Sequence, residues 1–446
     1  MSKAKSSDQI GLLEAMSIGI GGMVGGGIFA VLGLAVSLAQ GGTPVAFAFA
    51  GVLTLLTAYS YTKMSLKYAD RGGTVKFLNV GFGRGTFAGA LNNVLWLCYI
   101  IMLSLYSSAF GSYAPNLWSP TGHRNVDFHI YASAIIIVAT LINYYSLKVV
   151  GRIESAAVAI KLVILLAFIV IGAAGLRGNP NVHQLSPENW NGMVQLFAGG
   201  MVIFVAYEGF ELIANAAPKI KNPQRNIPRA YYGSVGFVIA LYIVIAIVTV
   251  GSLTFKQIAG AQDYVLAEAA KPMLGQVGFT IITIAALIST FSAINASIYG
   301  GGSVNYEIAE DGELPCSFTD MWAGQPIGVA LTSVLTLVTV NVLPLEAIST
   351  AGSVGFLVVF GMVNLVAFKL GSDVNANRVI TMFAFLLCMV ATIILVGQQW
   401  RQNLTGVLVA GGIFVVCFIA EFTFRRTETG CKPVCRQKKA AVPTAG

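Results

Sequence analysis

Apolar residues run along this chain in nearly unbroken stretches of about 20, too long and too uniform for the amphipathic helices or strands of a soluble protein. Stretches such as Ile135 to Leu141 and Leu162 to Ile171 are apolar on almost every face, whereas strands of a transmembrane barrel alternate apolar and polar positions in short segments. Cutting the hydrophobic windows at polar clusters predicts twelve helices, at 11 to 38, 42 to 62, 85 to 114, 128 to 146, 152 to 175, 192 to 217, 230 to 253, 274 to 305, 326 to 343, 347 to 369, 377 to 397 and 403 to 424. Windows of this length match the roughly 30 Å hydrocarbon core of a bilayer. The fold class is therefore an all-α membrane protein.

Composition sharpens that reading. Of the 446 residues, 56% are hydrophobic and 10% charged, with a mean hydropathy of +0.76, while soluble domains carry nearer a quarter charged. A net charge of +8 would suggest nucleic acid in a soluble chain; here it reports sidedness. Of the 27 Lys and Arg, 21 fall in the N-terminus, the even-numbered connections and the tail, five fall in the other connections, and one, Lys161, lies inside a span. By the positive-inside rule both termini are expected in the cytoplasm. The connection 306 to 325 is acidic instead, with Glu307, Glu310, Asp311, Glu313 and Asp320, and acidic residues contribute little to topology. The first residues lack a cleavage site, so the N-terminus is expected to stay on the chain. Six cysteines show no zinc-ligand spacing with histidine. No metal or organic cofactor is implied.

Candidate chemistry lies where polar groups interrupt the spans. Lys161 sits near the middle of the fifth, where an ammonium costs about 2.5 to 3.5 kcal/mol and usually faces a cavity or ion pathway; the alternative is a tether between helices that never titrates. The first span contains Gly19, Gly21, Gly22, Gly25, Gly26 and Gly27 within nine residues. Either these glycines allow close helix packing, or they mark an unwound stretch whose bare amides, at a half-helix beginning near Ile28, receive an anion such as a carboxylate. The sixth span holds Phe204, Val205, Ala206, Tyr207, Glu208, Gly209, Phe210 and Glu211 in apolar flanks. Three roles are open to Glu208: binding a substrate amine, exchanging a proton, or pairing with Lys161. Glu211 is expected to bond backbone exposed by the break. Ser289 and Ser292 share one face of the eighth span, suited to a cation, to an ammonium, or simply to bonds back onto the helix. Interrupted first and sixth spans suggest two inverted five-helix repeats, 11 to 175 and 192 to 369. Two further helices in 377 to 424 would follow, with a cytoplasmic N-terminus at 1 to 10 and a basic tail at 427 to 446 resting on anionic lipid.

Taken together, these residues resemble the amino acid/polyamine/organocation transporter superfamily. Three stretches carry the resemblance: Ile18 to Phe29, Tyr207 to Glu211 followed by Asn222-Pro223 and Ile227-Pro228-Arg229-Ala230, and Tyr299-Gly300-Gly301 with Ala309 to Pro315. Gly151-Arg152 followed by an apolar helix with a central Lys is similar to the ApcT-type proton-coupled amino acid permeases. The resemblance implies a LeuT-like five-plus-five inverted repeat with broken helices one and six. It implies that Gly25, Gly26 and Gly27, with Ile28, take a substrate carboxylate, and that Met23 and Glu208 offer carbonyls to its amine beside Phe204, Val205 and Tyr207. It also implies that Lys161 contacts the Gly21 carbonyl and Ser289, with Ser292 nearby, in the place of a sodium ion. Three departures stand out. Asp70 to Lys76 lacks the family's proline and tyrosines; Val205 replaces a common aromatic; and Glu208 puts a carboxylate where an aliphatic residue is usual, which points to basic substrates or a second proton site.

The expected function is amino acid import by proton symport through alternating access at the plasma membrane. The alternative is an amino acid or polyamine exchanger with Lys161 as a fixed cation. An enzyme is not expected, since His123, His129 and His183 lie at or near outer loops and form no catalytic set. The expected partners are the amino acid, the proton and the bilayer, and no nucleic acid.

Overall fold

The computed structural model describes residues 9–145, 147–322 and 325–427, and within 147–156 and at 316 only the backbone. Residues 1–8, the tail from 428 and the Arg152 side chain therefore lie outside the described residues. Helices dominate the rest, joined by one two-residue β-hairpin between Met321–Trp322 and Gln325–Pro326.

The first glycine-rich span is two helices, α1 (Leu12–Met23) and α2 (Gly27–Ala39), bent by 46° at the break. Then come α3 (Thr43–Lys67), the short α4 (Thr74–Phe82), α5 (Thr86–Tyr113), α6 (Arg124–Tyr145) and α7 (Leu147–Gly175). The sixth span is again broken. α8 (Met193–Val202) gives way to a 3-10 stretch over Phe204–Glu211 and then α9 (Leu212–Ala216), with a bend of 42°. α10 (Pro223–Ser252), α11 (Phe255–Gly260), α12 (Val265–Glu310), α13 (Ile327–Val342), α14 (Leu345–Lys369), α15 (Arg378–Gln402) and α16 (Leu404–Thr427) complete the chain.

Local chemistry sets these ends. Pro223 opens α10, where a missing N–H costs nothing, after Asn222 in the left-handed region at φ 48°. Thr254 and Gln257 cap α11 reciprocally. Asn377 caps α15 by accepting from the Val379 amide. α12 begins earlier than the hydrophobic window does, because a first segment carrying Pro272 joins the membrane span across Gly275 at φ 60°, a conformation glycine adopts without penalty.

Among the described residues, nine helices are long and apolar enough to cross a membrane, eleven when each bent pair counts as one span, and α13 is a shorter apolar helix of 16 residues. Burial separates centre from rim. In α5, 89% of the apolar window is buried, against 28% in α6 and α15 and 22% in α16. The rim helices turn large apolar side chains outward, Val163 at 67% and Val379 at 77% exposed, as a lipid-facing surface requires. α5, α12, α10 and α14 surround the two broken spans.

Candidate functional site

Breaking a helix in an apolar interior frees carbonyls that cost free energy unless something donates to them. At the first break five successive carbonyls are met by side chains from four different helices. Lys161 of α7 donates from Nζ to the Gly21 oxygen at 3.0 Å. The Tyr106 hydroxyl of α5 reaches Gly22 at 3.4 Å. The Tyr242 hydroxyl of α10 donates to Met23 at 2.6 Å and lies 3.3 Å from the Ala206 oxygen of the second break. Ser289 of α12 serves Val24 at 2.8 Å and also Gly25. The second break is treated likewise: Ser349 and Ser353 of α14 donate to the Val202 carbonyl at 2.9 and 2.8 Å, and the Val205 amide donates back to Ser353.

Donors are left open on the other side of the first break. Among the described residues, no acceptor meets the amides of Gly26, Gly27, Ile28 or Phe29, and the α2 ladder starts with Ala30 donating to Gly26 at 2.9 Å. Those are the orphan amides of a helix start, suited to an anion. The glycines serve a second purpose there. The two broken spans touch backbone to backbone, so that a Cβ on Gly209 would lie 2.2 Å from the Gly22 carbonyl carbon, and one on Gly27 would lie 2.8 Å from Ala206 Cα. Gly26 faces the Tyr106 ring, where an added Cβ would sit 2.2 Å from Cδ1. Close packing and unwinding, alternatives on the sequence, thus coexist.

A narrow cleft adjoins the break. Gly21 and Gly22 of α1, Tyr99 and Tyr106 of α5, and Glu208 and Leu212 of the sixth span line it, and Ser292, Ala293, Ala296 and Ser297 of α12 close it. Gly22, Leu212, Ala296 and Ser297 are half-buried while the other lining side chains named from α5 and the 3-10 stretch are buried. The mouth therefore opens toward the end of the molecule that carries Leu12.

The two carboxylates of the sixth span divide. Glu211 accepts from Thr74 at 2.8 Å and from Tyr61 at 3.5 Å, so it bonds hydroxyls of α4 and α3 rather than freed backbone. Glu208, only 3% exposed, has no hydrogen-bond or ion-pair partner among the described residues, Lys161 included, and lines the cavity. Lys161 is fully buried.

Several of the sequence candidates lie outside the cavity wall. Tyr207 donates to the Phe47 carbonyl at 3.0 Å and packs on Tyr242 with ring centroids 5.1 Å apart. Phe204 packs on Phe360 of α14, and Val205 lies against Gly352. The Met23 carbonyl is already served by Tyr242. Sequence reasoning missed Tyr99, Tyr106 and Tyr242; tyrosines in apolar spans carry no signal of their own.

The family described as amino acid permease matches residues 10–424. The chain is 34% identical over 397 residues to an uncharacterized protein of Methanocaldococcus jannaschii, covering 89% of this chain and 90% of that one. It is 32% identical over 421 residues to the inner membrane transport protein YbaT of Escherichia coli, covering 94% and 97%. It is 25% identical over 380 residues, and 80% of each chain, to the branched-chain amino acid permease BcaP of Lactococcus lactis. Its named relatives are transporters rather than enzymes.

Proposed function

The chain belongs to the amino acid permease family, a transporter family of the amino acid/polyamine/organocation superfamily, and from that premise we propose that it imports amino acids with a proton by alternating access. The plasma membrane is its place, with both termini in the cytoplasm as the Lys and Arg distribution favours.

One observation carries the coupling: the buried Lys161 ammonium holds a carbonyl of the broken first helix. A protonated Lys161 donates to Gly21 and ties α7 to α1. A neutral amine keeps fewer donors and no charge, and the tie weakens. The open amides of Gly26, Gly27 and Ile28 support carboxylate binding next to this tie, and their neighbour Gly25 belongs to the same turn.

The architecture we propose is twelve spans, with α13 as the ninth, and two inverted repeats at 11–175 and 192–369. Support comes from the carbonyl caps. The fifth helix of the first repeat caps the first break through Lys161, and the corresponding helix of the second, α14, caps the second break through Ser349 and Ser353.

The test is uptake of labelled amino acids into proteoliposomes, with an inward proton gradient in sodium-free buffer, then collapsed by a protonophore. Accumulation should follow the gradient and be lost in Lys161→Ala. Uphill uptake that survives in that variant overturns the coupling role. Uptake that requires substrate trapped on the opposite side, indifferent to the gradient, makes the protein an exchanger and Lys161 a fixed cation.

A further inference from the structure

Glu208 is the unusual group in the cavity. A carboxylate that is ionised and unpaired in a buried site costs several kcal/mol, and one oxygen of the neighbouring carboxylate does find donors while its other oxygen has none. Glu211, three residues on, is held by the hydroxyls of Thr74 and Tyr61. Glu208 has no such partner among the described residues, and Lys161 donates elsewhere, to the Gly21 carbonyl. The partner that Glu208 lacks is one that a ligand can bring.

The rest of the wall says what shape that ligand has. Leu212 and Ala296 give apolar surface at the mouth beside the Ser297 hydroxyl, and buried Ala293 continues it toward Tyr99, Tyr106 and Glu208. An alkyl stem ending in a positive charge fits such a wall: methylenes on the apolar surface, the charge on the carboxylate.

Resting on the permease reading above, we propose that Glu208 selects amino acids with a cationic side chain, its carboxylate receiving the terminal ammonium or guanidinium while the α-carboxylate lies on the open amides of the first break. Truncating one member of a buried charge pair typically weakens binding by thirtyfold or more.

The experiment is calorimetric titration of the purified full-length protein with lysine, ornithine and norleucine, the last keeping a similar apolar stem but no terminal charge. Lysine should bind at least about tenfold tighter than norleucine in the parent protein. Glu208→Gln should weaken lysine by about thirtyfold or more and leave norleucine within about threefold, with Glu208→Asp in between. Melting temperatures check that each variant folds, and Glu208→Asp keeps the test open if Glu208→Gln does not. Norleucine binding as tightly as lysine overturns the proposal, and so does an equal loss of both ligands, the mark of a structural role. Unchanged lysine affinity in Glu208→Gln overturns it too, leaving Glu208 a proton site or a bystander. Parent protein that binds neutral amino acids and excludes lysine sinks the charge reading alone, whereas parent protein that binds no amino acid at all takes the permease reading down with it.

Discussion

Tyr242 shows how much a single hydroxyl does at the break. It donates to Met23 of the first broken span and reaches Ala206 of the second, so one side chain of α10 spans both. Removing it leaves a buried carbonyl without its donor, which costs about 1 to 3 kcal/mol. Tyr242→Phe should therefore lower the melting temperature in detergent while the ring still packs on Phe47 and Tyr207. An unchanged melting temperature would mean that water replaces the hydroxyl. At this scale the sequence is uneven. Lys161 and Glu208 are conspicuous because a charged group in an apolar span is expensive. Tyr99, Tyr106 and Tyr242 are not, because tyrosine buries its ring willingly and announces its hydroxyl only through a partner that the linear sequence does not place.

The elements tell a similar story one level up. Both broken spans were legible, the first from clustered glycines and the second from two carboxylates and a glycine amid apolar flanks. α4 was not, since nine residues give too few turns for a periodic signal, and its sequence, Thr74 to Phe82, lies in a connection read as a loop. Yet α4 positions a residue that matters. Thr74 stands in its first turn, donates to Glu211 at 2.8 Å and bonds the Tyr61 hydroxyl at 2.9 Å, so α3, α4 and the second break are fastened at one point. Thr74→Val keeps the volume and removes the donor. It should destabilise the protein by about 1 to 3 kcal/mol, seen as a lower melting temperature, and Thr74→Ser should recover most of the loss. If Val melts like Thr, the bond to Glu211 holds nothing together.

For the whole molecule, one long-range tie starts from a connection between spans, where hydropathy is silent. The connection after α12 returns to the bundle through Glu313, which accepts from Asn92 of α5 at 2.6 Å and lies 4.0 Å from Arg425 of α16. Burial, reinforced by the negative charges of Glu421 and Asp311 and opposed by Asn92 and Arg425, pushes its carboxyl up to about 7. The folded protein thus holds this proton more tightly than the unfolded chain. The stability so gained is complete below the ordinary glutamate range and is lost as pH rises through about 7. Glu313→Gln mimics the protonated form, so it should melt with the parent near pH 4.5 and above it at pH 8, by at most about 3 kcal/mol. A difference that does not grow with pH would assign the carboxyl an ordinary titration. The acidic character of this connection was plain in the sequence; that one of its acids is buried between α5 and α16 was not, because it depends on helices more than 100 residues away in either direction.

The seam along α2 has a last consequence. A Cβ on Gly33 would lie 2.0 Å from the Gln262 carbonyl oxygen, and Asn191 donates to Leu38 at 2.6 Å, so α2 is packed tightly against the chain entering α12 and α8, while the cavity mouth opens toward Leu12. In this conformation a blocker too bulky to be carried across is effective from one compartment and inert from the other. Sidedness of inhibition then becomes a clock hand for the transport cycle, pointing to whichever compartment the carrier is waiting to meet.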